Sequence, residues 1–179
     1  MDRRLMRRSV HMRSTALDKT LVTLTRAANY SRLWLFIAAV LVVCGGRRGR
    51  IAAGRGVIAV AIAAAIANGP AKLLVRRRRP SGSSPTLIHM PRSTSFPSGH
   101  SASAFAFATG VCGELPALVP VLAPLVGAVA YSRVHTGVHY PSDVAAGAAI
   151  GIGAGVVARR VQLPMARQAA SSITPTAIR

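Results

Sequence analysis

The stretch VAAGAAIGIGAGVVARR, residues 144–160, joins an unbroken apolar run to a closing pair of arginines. Gly147, Gly151 and Gly155 recur at every fourth position, which lines one face of a helix with glycine and lets a neighbouring helix approach closely. Low-complexity Ala/Gly filler is the alternative interpretation. The two arginines suit a membrane boundary, because their long side chains can reach the lipid headgroups. We therefore predict a membrane-spanning helix that packs against another helix along its glycine face.

Four further apolar blocks precede this one in the chain of 179 residues. The five blocks are 33–46, 51–68, 101–113, 115–131 and 144–158. Each is shorter than the roughly 20 residues that span a bilayer comfortably, so buried helices of a soluble protein are the alternative. Five unbroken blocks leave too few amphipathic elements to cover them, however. We predict an all-α protein, a multi-span transmembrane bundle of about five to six helices.

The charge of the chain is strongly positive, at +19 from 23 Lys and Arg against four Asp and Glu. Such a charge first suggests nucleic acid, but nucleic-acid proteins carry basic residues on soluble faces, often with stacking aromatics. Here the basic residues crowd a polar arm at 1–32, the RRGR turn at 47–50 and the loop at 72–92, as expected beside anionic lipid. The predicted partner is the membrane bilayer and not nucleic acid. The chain divides into a basic arm or interfacial helix (1–32), a membrane-embedded domain (33–160) and a flexible tail (161–179).

Three polar segments, 72–79, 95–100 and 132–143, adjoin the predicted spans. The ends of spans two and four and the starts of spans three and five fall on one side of the membrane, so the segments are expected to converge there. In KLLVRRRRP, residues 72–80, a continuing helix would place Lys72 and Arg79 two turns apart on one face. For Arg76 to Arg78, a solvated stop-transfer run is at least as good an explanation as a role in the site.

The second segment, SFPSGH, is a turn that leads directly into an apolar block. Ser98 can cap the helix that follows, and Gly99 permits a close backbone approach, so that free amide groups would face an anion. These features alone describe an ordinary helix start. A cap does not require His100, which makes this histidine a candidate for chemistry.

The third segment, SRVHTGVHYPSD, places Asp143 four residues after His139. Pro141 suits the first turn of a helix, so Asp143 lies in that turn and His139 just before it. The carboxylate can then fix the tautomer of the imidazole and leave the other ring nitrogen free to attack or to move a proton. Arg133 adds a planar cation suited to phosphate oxygens. Together the segments predict a site for transferring an anionic group, most naturally a phosphoryl group.

The three segments resemble the three-part motif of the type 2 phosphatidic acid phosphatase superfamily. The motif reads Lys, six residues, Arg-Pro; then Pro-Ser-Gly-His; then Ser-Arg, five residues, His, three residues, Asp. In this chain it corresponds to Lys72 to Arg79-Pro80, Pro97-Ser98-Gly99-His100, and Ser132-Arg133 to His139 to Asp143. The resemblance covers roughly residues 33–158 and implies that the domain at 33–160 is a membrane phosphatase.

The resemblance also implies a role for each motif residue. His139 would be the nucleophile that forms a phosphohistidine, oriented by Asp143. His100 would protonate the leaving oxygen and then activate water. The phosphoryl oxygens would be held by Lys72, Arg79, Arg133, the Ser98 hydroxyl and the Gly99 amide. Positioned cations and amides can stabilise the charge of phosphoryl transfer, so no metal or other cofactor is expected.

Two more histidines lie close to the motif in the sequence. His135 shares a loop with His139, but the motif assigns it nothing, and we predict a polar structural role. His89 lies in the loop between the first two segments, where it is either an exposed loop histidine or a contact to substrate.

The expected substrate is a lipid phosphate or pyrophosphate whose tail lies in the bilayer. Relatives implied by the resemblance act on phosphatidic acid, phosphatidylglycerophosphate or polyprenyl pyrophosphates, and the sequence does not choose among these. The resemblance favours a bacterial plasma membrane protein with an extracytoplasmic site. The positive-inside rule opposes this, because a five-span count puts most Lys and Arg on the side of the motif.

Two other functions remain open at this point. Vanadate-dependent haloperoxidases share the motif, but those enzymes are soluble and larger, and the five apolar blocks of this chain argue against that function. A non-enzymatic membrane adaptor would use the cations to bind anionic lipid. That adaptor has no use for His100, His139 and Asp143 together.

Overall fold

Every regular element of the described chain is a helix, in a computed structural model that describes residues 2–11, 14–80 and 86–163. Eight α-helices lie in these ranges: α1 Asp2–His11, α2 Thr15–Ala27, α3 Arg32–Cys44, α4 Gly46–Asn68, α5 Pro70–Leu74, α6 Gly99–Cys112, α7 Val119–His135 and α8 Pro141–Arg159. Short 3-10 turns, Asn29–Ser31 and Pro116–Leu118, precede α3 and α7. The predicted all-α class is confirmed.

The centre of the bundle is α6, which packs against α4, α7 and α8. Its side chains at Ala102, Ala104, Ala106 and Phe107 have no exposed surface. With 14 residues, α6 is about 21 Å long, shorter than the roughly 30 Å hydrocarbon core of a bilayer. Block 101–113 thus forms a short helix that its neighbours enclose, and its crossing of the membrane stays a prediction.

The glycine face of α8 makes the predicted close contact, and its partner is α6. A Cβ atom at Gly147 would collide with the carbonyl oxygen of Ser98, and one at Gly151 with that of Ala102. A Cβ at Gly155 would overlap the side chain of Thr109. The spacing of these glycines therefore reflects packing against α6 and not low-complexity filler.

Three helical stretches among the described residues are long and apolar enough to cross a membrane: Gly46–Leu74, Pro116–His135 and Pro141–Arg159. A fourth candidate is a bent pair, Thr15–Ala27 with Asn29–Cys44, whose two parts meet at 61°. The predicted multi-span bundle of about five to six helices is thus confirmed, with three or four candidate spans among the described residues. Block 33–46 corresponds to α3, a helix of 13 residues. The helix before it, α2 in the predicted arm, joins α3 across the bend to form the fourth candidate.

The described part of the arm is helical, and both of its helices pack against α7. The bend between α2 and α3 has left-handed backbone angles at Tyr30 (φ 52°) and Ser31 (φ 60°). Such angles cost non-glycine residues on the order of 1–3 kcal/mol each and persist where the surroundings enforce them. Here the start of α3 is anchored by Trp34, which is buried and packs against Phe107 with ring centroids 5.5 Å apart.

The proposed division into arm, domain and tail stays a prediction. Residues from 164 onward, and with them nearly all of the predicted flexible tail at 161–179, lie outside the described residues.

Candidate active site

A cavity of about 830 Å³ opens at one end of the bundle. The α2–α3 bend, the end of α4 with α5, the start of α6, the end of α7 and parts of the loop at 86–93 surround it. Six of the eight predicted site residues line this cavity: Lys72, Arg79, Gly99, His100, Arg133 and His139. The predicted convergence of the three motif segments is therefore present in the structure, and the remaining two residues, Ser98 and Asp143, are fully buried next to it.

The imidazole of His139 is 3% exposed and has a different neighbour on each nitrogen. Its Nε2 lies 3.2 Å from Nη1 of Arg79, and its Nδ1 lies 3.7 Å from Oδ2 of Asp143. A guanidinium group can only donate, so Nε2 must be the acceptor and the proton of the neutral ring lies on Nδ1. The ring therefore presents an unprotonated Nε2 to the cavity and directs Nδ1–H toward Asp143.

The distance from Nδ1 of His139 to Asp143 is longer than a hydrogen bond, and Nδ1 has no hydrogen-bond partner among the described residues. A closure of less than about 1 Å would form the bond, and catalytic hydrogen bonds often tighten when substrate binds. The other contact of Oδ2 is the backbone N–H of Tyr140, at 2.9 Å. This contact holds Asp143 in the first turn of α8, as the sequence predicts.

The environment of His139 disfavours its charged form. Burial is the largest cause and lowers the pKa of the imidazole to about 4. The carboxylate of Asp143 opposes this shift, whereas the positive charges of Arg133 and Arg79 add to it. His139 is therefore neutral at physiological pH and retains the lone pair that a nucleophile requires.

The polypeptide around Arg79 is not helical, so the continuing helix considered for 72–79 is absent beyond Leu74. Helix α5 ends at Leu74, and Val75 adopts extended angles (φ −122°, ψ 94°). The guanidinium of Arg79 donates to the carbonyl oxygens of Ser93 (2.8 Å) and Val138 (2.9 Å). Lys72 and Arg79 therefore reach the same cavity from a helix and from an extended segment, and not from one helix face.

The other two cations are also held in place by uncharged partners. Lys72 donates to Oδ1 of Asn68 at 3.0 Å. Arg133, 2% exposed, donates from Nη1 to Oγ1 of Thr25 at 3.0 Å. Its buried Nε has no hydrogen-bond partner among the described residues, so an anion in the cavity is a suitable acceptor.

The start of α6 supplies an amide and a histidine to the cavity. The hydroxyl of Ser98 accepts hydrogen bonds from the backbone N–H and the hydroxyl of Ser101, so it caps α6 and does not line the cavity. Gly99 and His100 do line it. Nε2 of His100 lies 2.8 Å from Oδ1 of Asn29, and an amide oxygen only accepts, so this nitrogen carries a proton.

The arm contributes cavity residues that sequence analysis missed, among them Thr25, Arg26, Asn29 and Tyr30. No motif marks them, and their only signal is a polar break, TRAANYS at 25–31, before the first apolar block. Asn68 was missed too, because it reads as the end of an apolar block.

Three residues near the motif have contacts that the sequence left open. His135 is fully buried outside the cavity, and its Nε2 lies 2.7 Å from Oδ1 of Asp18 in α2, which suits the predicted structural role. His89 is exposed and lines the cavity. Arg77, for which a solvated run and a site role were both left open, forms an ion pair with Asp143 at 2.9 Å.

Metal ligands were not expected, and the described residues contain no group of three or more His, Cys, Asp or Glu side chains that could hold a metal ion. The polar groups that face the cavity are mainly cations, amides and hydroxyls, with three histidines, His89, His100 and His139. This set suits a phosphate group.

The candidate membrane spans, the cavity that gathers cations around His100 and His139, and the family match together define the class of this protein as an integral membrane phosphatase. The chain belongs to the PAP2 superfamily, whose family model matches residues 53–165, and the resemblance found in the sequence is confirmed. It is 39% identical over 130 residues to the decaprenylphosphoryl-5-phosphoribose phosphatase of Mycobacterium tuberculosis, which covers 69% of this chain and 68% of that protein. The protein of the same name from Mycolicibacterium smegmatis is 35% identical over 127 residues, covering 69% and 67%.

Two crystal structures share the fold. LpxE of Aquifex aeolicus superposes with a TM-score of 0.75 at 22% identity, over 89% of this chain and 95% of that one. The PAP2-type phosphatidylglycerolphosphate phosphatase of Bacillus subtilis gives a TM-score of 0.68 at 20% identity, over 98% and 87%. At these identities the similarity establishes the helical architecture.

Proposed function

We propose that this protein hydrolyses a phosphate monoester on a membrane lipid by transferring the phosphoryl group to Nε2 of His139. The observation that carries the proposal is the 3.2 Å contact of Nε2 with Nη1 of Arg79, which makes Nε2 the unprotonated ring nitrogen. His139 lines the same cavity as Lys72, Arg79 and Arg133. An adaptor that only bound anionic lipid would need the cations but not this orientation of the imidazole.

In the first step, the Nε2 lone pair forms a bond to phosphorus while the bond to the leaving oxygen breaks. Burial lowers the pKa of His100 in the empty cavity, and a bound phosphate dianion offsets this by favouring the imidazolium. His100 enters the step as this imidazolium, donates its proton to the leaving oxygen and becomes neutral. Asp143 stabilises the positive charge that develops on His139. In the second step, neutral His100 takes a proton from water, whose oxygen attacks phosphorus and displaces Nε2. Inorganic phosphate is released, and both histidines return to their starting states.

The cations act on the charge of the transferred group. Arg79 and Arg133 are planar donors that can each contact two phosphoryl oxygens, and Lys72 adds a point charge. Both arginines are held by protein acceptors before substrate arrives. They can therefore stabilise the transition state with little rearrangement.

For the substrate, we propose a phosphorylated sugar carried on a polyprenyl phosphate. Support comes from the mycobacterial relatives, which are named for 5-phosphoribose on decaprenyl phosphate. The cavity of about 830 Å³ has room for a headgroup larger than phosphate, and Asn29, Asn68 and Ser103 add uncharged hydrogen-bonding groups to its wall. Such groups suit the hydroxyls of a sugar.

The test of this function is phosphate release by the detergent-solubilised protein with a chelator present. The panel comprises decaprenylphosphoryl-5-phosphoribose, phosphatidic acid, phosphatidylglycerophosphate and undecaprenyl pyrophosphate. We expect release from at least one lipid and the highest kcat/KM for the phosphorylated sugar lipid. No release from any lipid, with vesicle binding retained, would favour the adaptor.

We also propose that the cavity faces the extracytoplasmic side of the plasma membrane. Support comes from the family resemblance, which favours an extracytoplasmic site. The positive-inside rule opposes it, because the cavity end carries Lys72, Arg133 and the arginines at 76–79, against fewer arginines at the start of α4 and the end of α8. In a cysteine-free background, a Tyr30→Cys variant tests this, because Tyr30 is 86% exposed at the cavity. We expect an impermeant maleimide to label this cysteine in intact cells. Labelling only after permeabilisation would show that the cavity faces the cytoplasm.

The titration of His139 gives a prediction that does not depend on turnover. We expect a midpoint near pH 4, well below the ordinary histidine pKa of 6.5, because burial and the charges of Arg133 and Arg79 disfavour the imidazolium. The neutral nucleophile is thus present above this midpoint and is lost as pH falls through it. NMR of ¹⁵N-histidine-labelled protein, with His139→Ala for assignment, measures the midpoint.

Two arginine variants provide the control for this titration. Arg79→Gln removes a cation that lowers the pKa of His139, so its midpoint should move upward. Arg76→Gln removes the same charge from an exposed neighbour and should leave the midpoint in place. A parent midpoint near 6.5, or equal shifts in both variants, would contradict the described environment of His139.

A further inference from the structure

Arg77 belongs to a run of four arginines, 76–79, whose members differ in burial. Arg77 and Arg79 are half-buried, whereas Arg76 and Arg78 are exposed. The segment is not helical, and the N–H of Arg77 donates to the carbonyl oxygen of Val75 at 3.0 Å. The segment is fixed at Arg77, whose carbonyl oxygen accepts the backbone N–H of Ser95 at 2.9 Å. Two of the four arginines therefore point into the protein, and only Arg79 lines the cavity.

The guanidinium of Arg77 is held by groups behind the catalytic pair. Nη1 donates to Oδ1 of Asp143 at 2.9 Å and to Oγ of Ser142 at 2.6 Å. Nη2 donates to Oδ2 of Asp2 in α1 at 2.8 Å. The group also lies 4.0 Å from the ring centroid of Tyr140, within cation–π distance. These contacts leave Arg77 one orientation, directed at Asp143.

These contacts fix the carboxylate of Asp143 at both oxygens. Oδ1 receives Arg77, while Oδ2 receives the backbone N–H of Tyr140 and faces Nδ1 of His139. A fully buried carboxylate without a cation is costly, and it would rotate or take up a proton. Either change would remove the acceptor that directs the ring of His139.

We infer that Arg77 is a positioning residue, which keeps the Asp143 carboxylate ionised and aimed at His139 without touching substrate. The inference rests on the proposed function of His139 as nucleophile. It also gives α1 a part in catalysis, since Asp2 accepts from Arg77 and from Ser142 on the side away from the cavity.

The run of arginines supplies matched controls for the test. Arg77→Gln should lower kcat by about 10-fold to 100-fold, because a misplacement of about 1 Å in a reacting group can cost about 100-fold. Its KM should stay within about twofold of the parent value, because Arg77 does not line the cavity. Arg76→Gln and Arg78→Gln remove the same charge from exposed positions and should retain the parent kcat. Equal kcat in all three variants, or a raised KM with unchanged kcat for Arg77→Gln, would overturn the inference.

A double-mutant cycle separates positioning from general stability. In an Asp143→Asn background, adding Arg77→Gln should lower kcat by less than about twofold, because the interaction is already lost. If the effects of the two substitutions on kcat were fully additive, Arg77 would act independently of Asp143 and the inference would be overturned. Should Arg77→Gln fail to fold, Asp2→Asn weakens the same network at a half-buried position and should lower kcat about threefold; an unchanged kcat in that case counts against the inference.

The result for the parent protein distinguishes the two proposals. A parent that releases no phosphate from any lipid overturns the proposed function. An active parent whose Arg77→Gln variant equals its controls overturns only the role of Arg77.

Discussion

Replacing His139 with alanine should reduce phosphate release by at least about 10⁴-fold, because the variant has no atom that can take up the phosphoryl group. The cations and the amide of Gly99 remain, so lipid should still bind. In the parent protein, brief exposure to ³²P-labelled substrate followed by alkaline quenching should trap an acid-labile phosphohistidine. The variant should show no labelled protein under the same conditions.

Binding measurements provide the control for this result. The affinity of His139→Ala for the substrate lipid, measured at equilibrium in detergent, should stay within about tenfold of the parent value, since only one contact to the headgroup is lost. Release of phosphate at the parent rate would mean that the nucleophile is another residue or a water molecule. Loss of both binding and release would indicate a disrupted cavity, and His139→Gln, which is closer in volume, would then be compared.

The features that sequence analysis predicted depend on local spacing. The glycines of α8 repeat with the period of a helix, and that period alone predicts a close helix contact. His139 and Asp143 are four residues apart across a helix start, so backbone geometry brings them together. The convergence of the three motif segments was predicted because successive spans run in opposite directions, which brings the segments to one side of the membrane. Each prediction needed only neighbours in the chain and the direction of a helix.

The helix that was considered through 72–79 ends at Leu74, for reasons that are visible in the sequence. Pro80 disfavours helical angles at the residue before it, and arginines three or four positions from other cations repel one another on a helix. The extended chain instead gains a backbone hydrogen bond from Ser95 to Arg77. The two arginines on its inner side then find acceptors that a helix would not have offered.

The contribution of the arm could not be predicted, because it depends on contacts between residues far apart in the chain. Asn29 meets His100 across 71 positions, and Thr25 meets Arg133 across 108. Uncharged residues such as these carry no pattern that distinguishes a site from a surface. The predicted boundary between arm and domain at residue 32 therefore separates Asn29 from His100, and Thr25 from Arg133, although each pair is in contact.

Replacing His100 with alanine should give results that depend on the leaving group. An alkyl phosphate lipid needs a proton on its departing oxygen, so kcat should fall by about 10²-fold to 10⁴-fold. An aryl phosphate leaves as a stable phenolate, so its phosphoryl group should still transfer to His139 at close to the parent rate. Without His100 to activate water, the intermediate should then accumulate. Rapid-mixing experiments should show a burst of about one phenolate per enzyme, followed by slow turnover.

The burst distinguishes the two steps assigned to His100 from a role in binding alone. If His100 only held the phosphate, its loss would raise KM for both substrates, and no phosphoenzyme would accumulate. If it acted only as an acid, aryl phosphate would turn over at the parent rate without a burst. His139→Ala, tested with the same aryl phosphate, should give neither burst nor labelled protein, because the intermediate requires Nε2. A burst in His100→Ala that disappears in the His100→Ala/His139→Ala double variant would therefore identify His139 as the nucleophile and His100 as the proton carrier, both of which line the cavity.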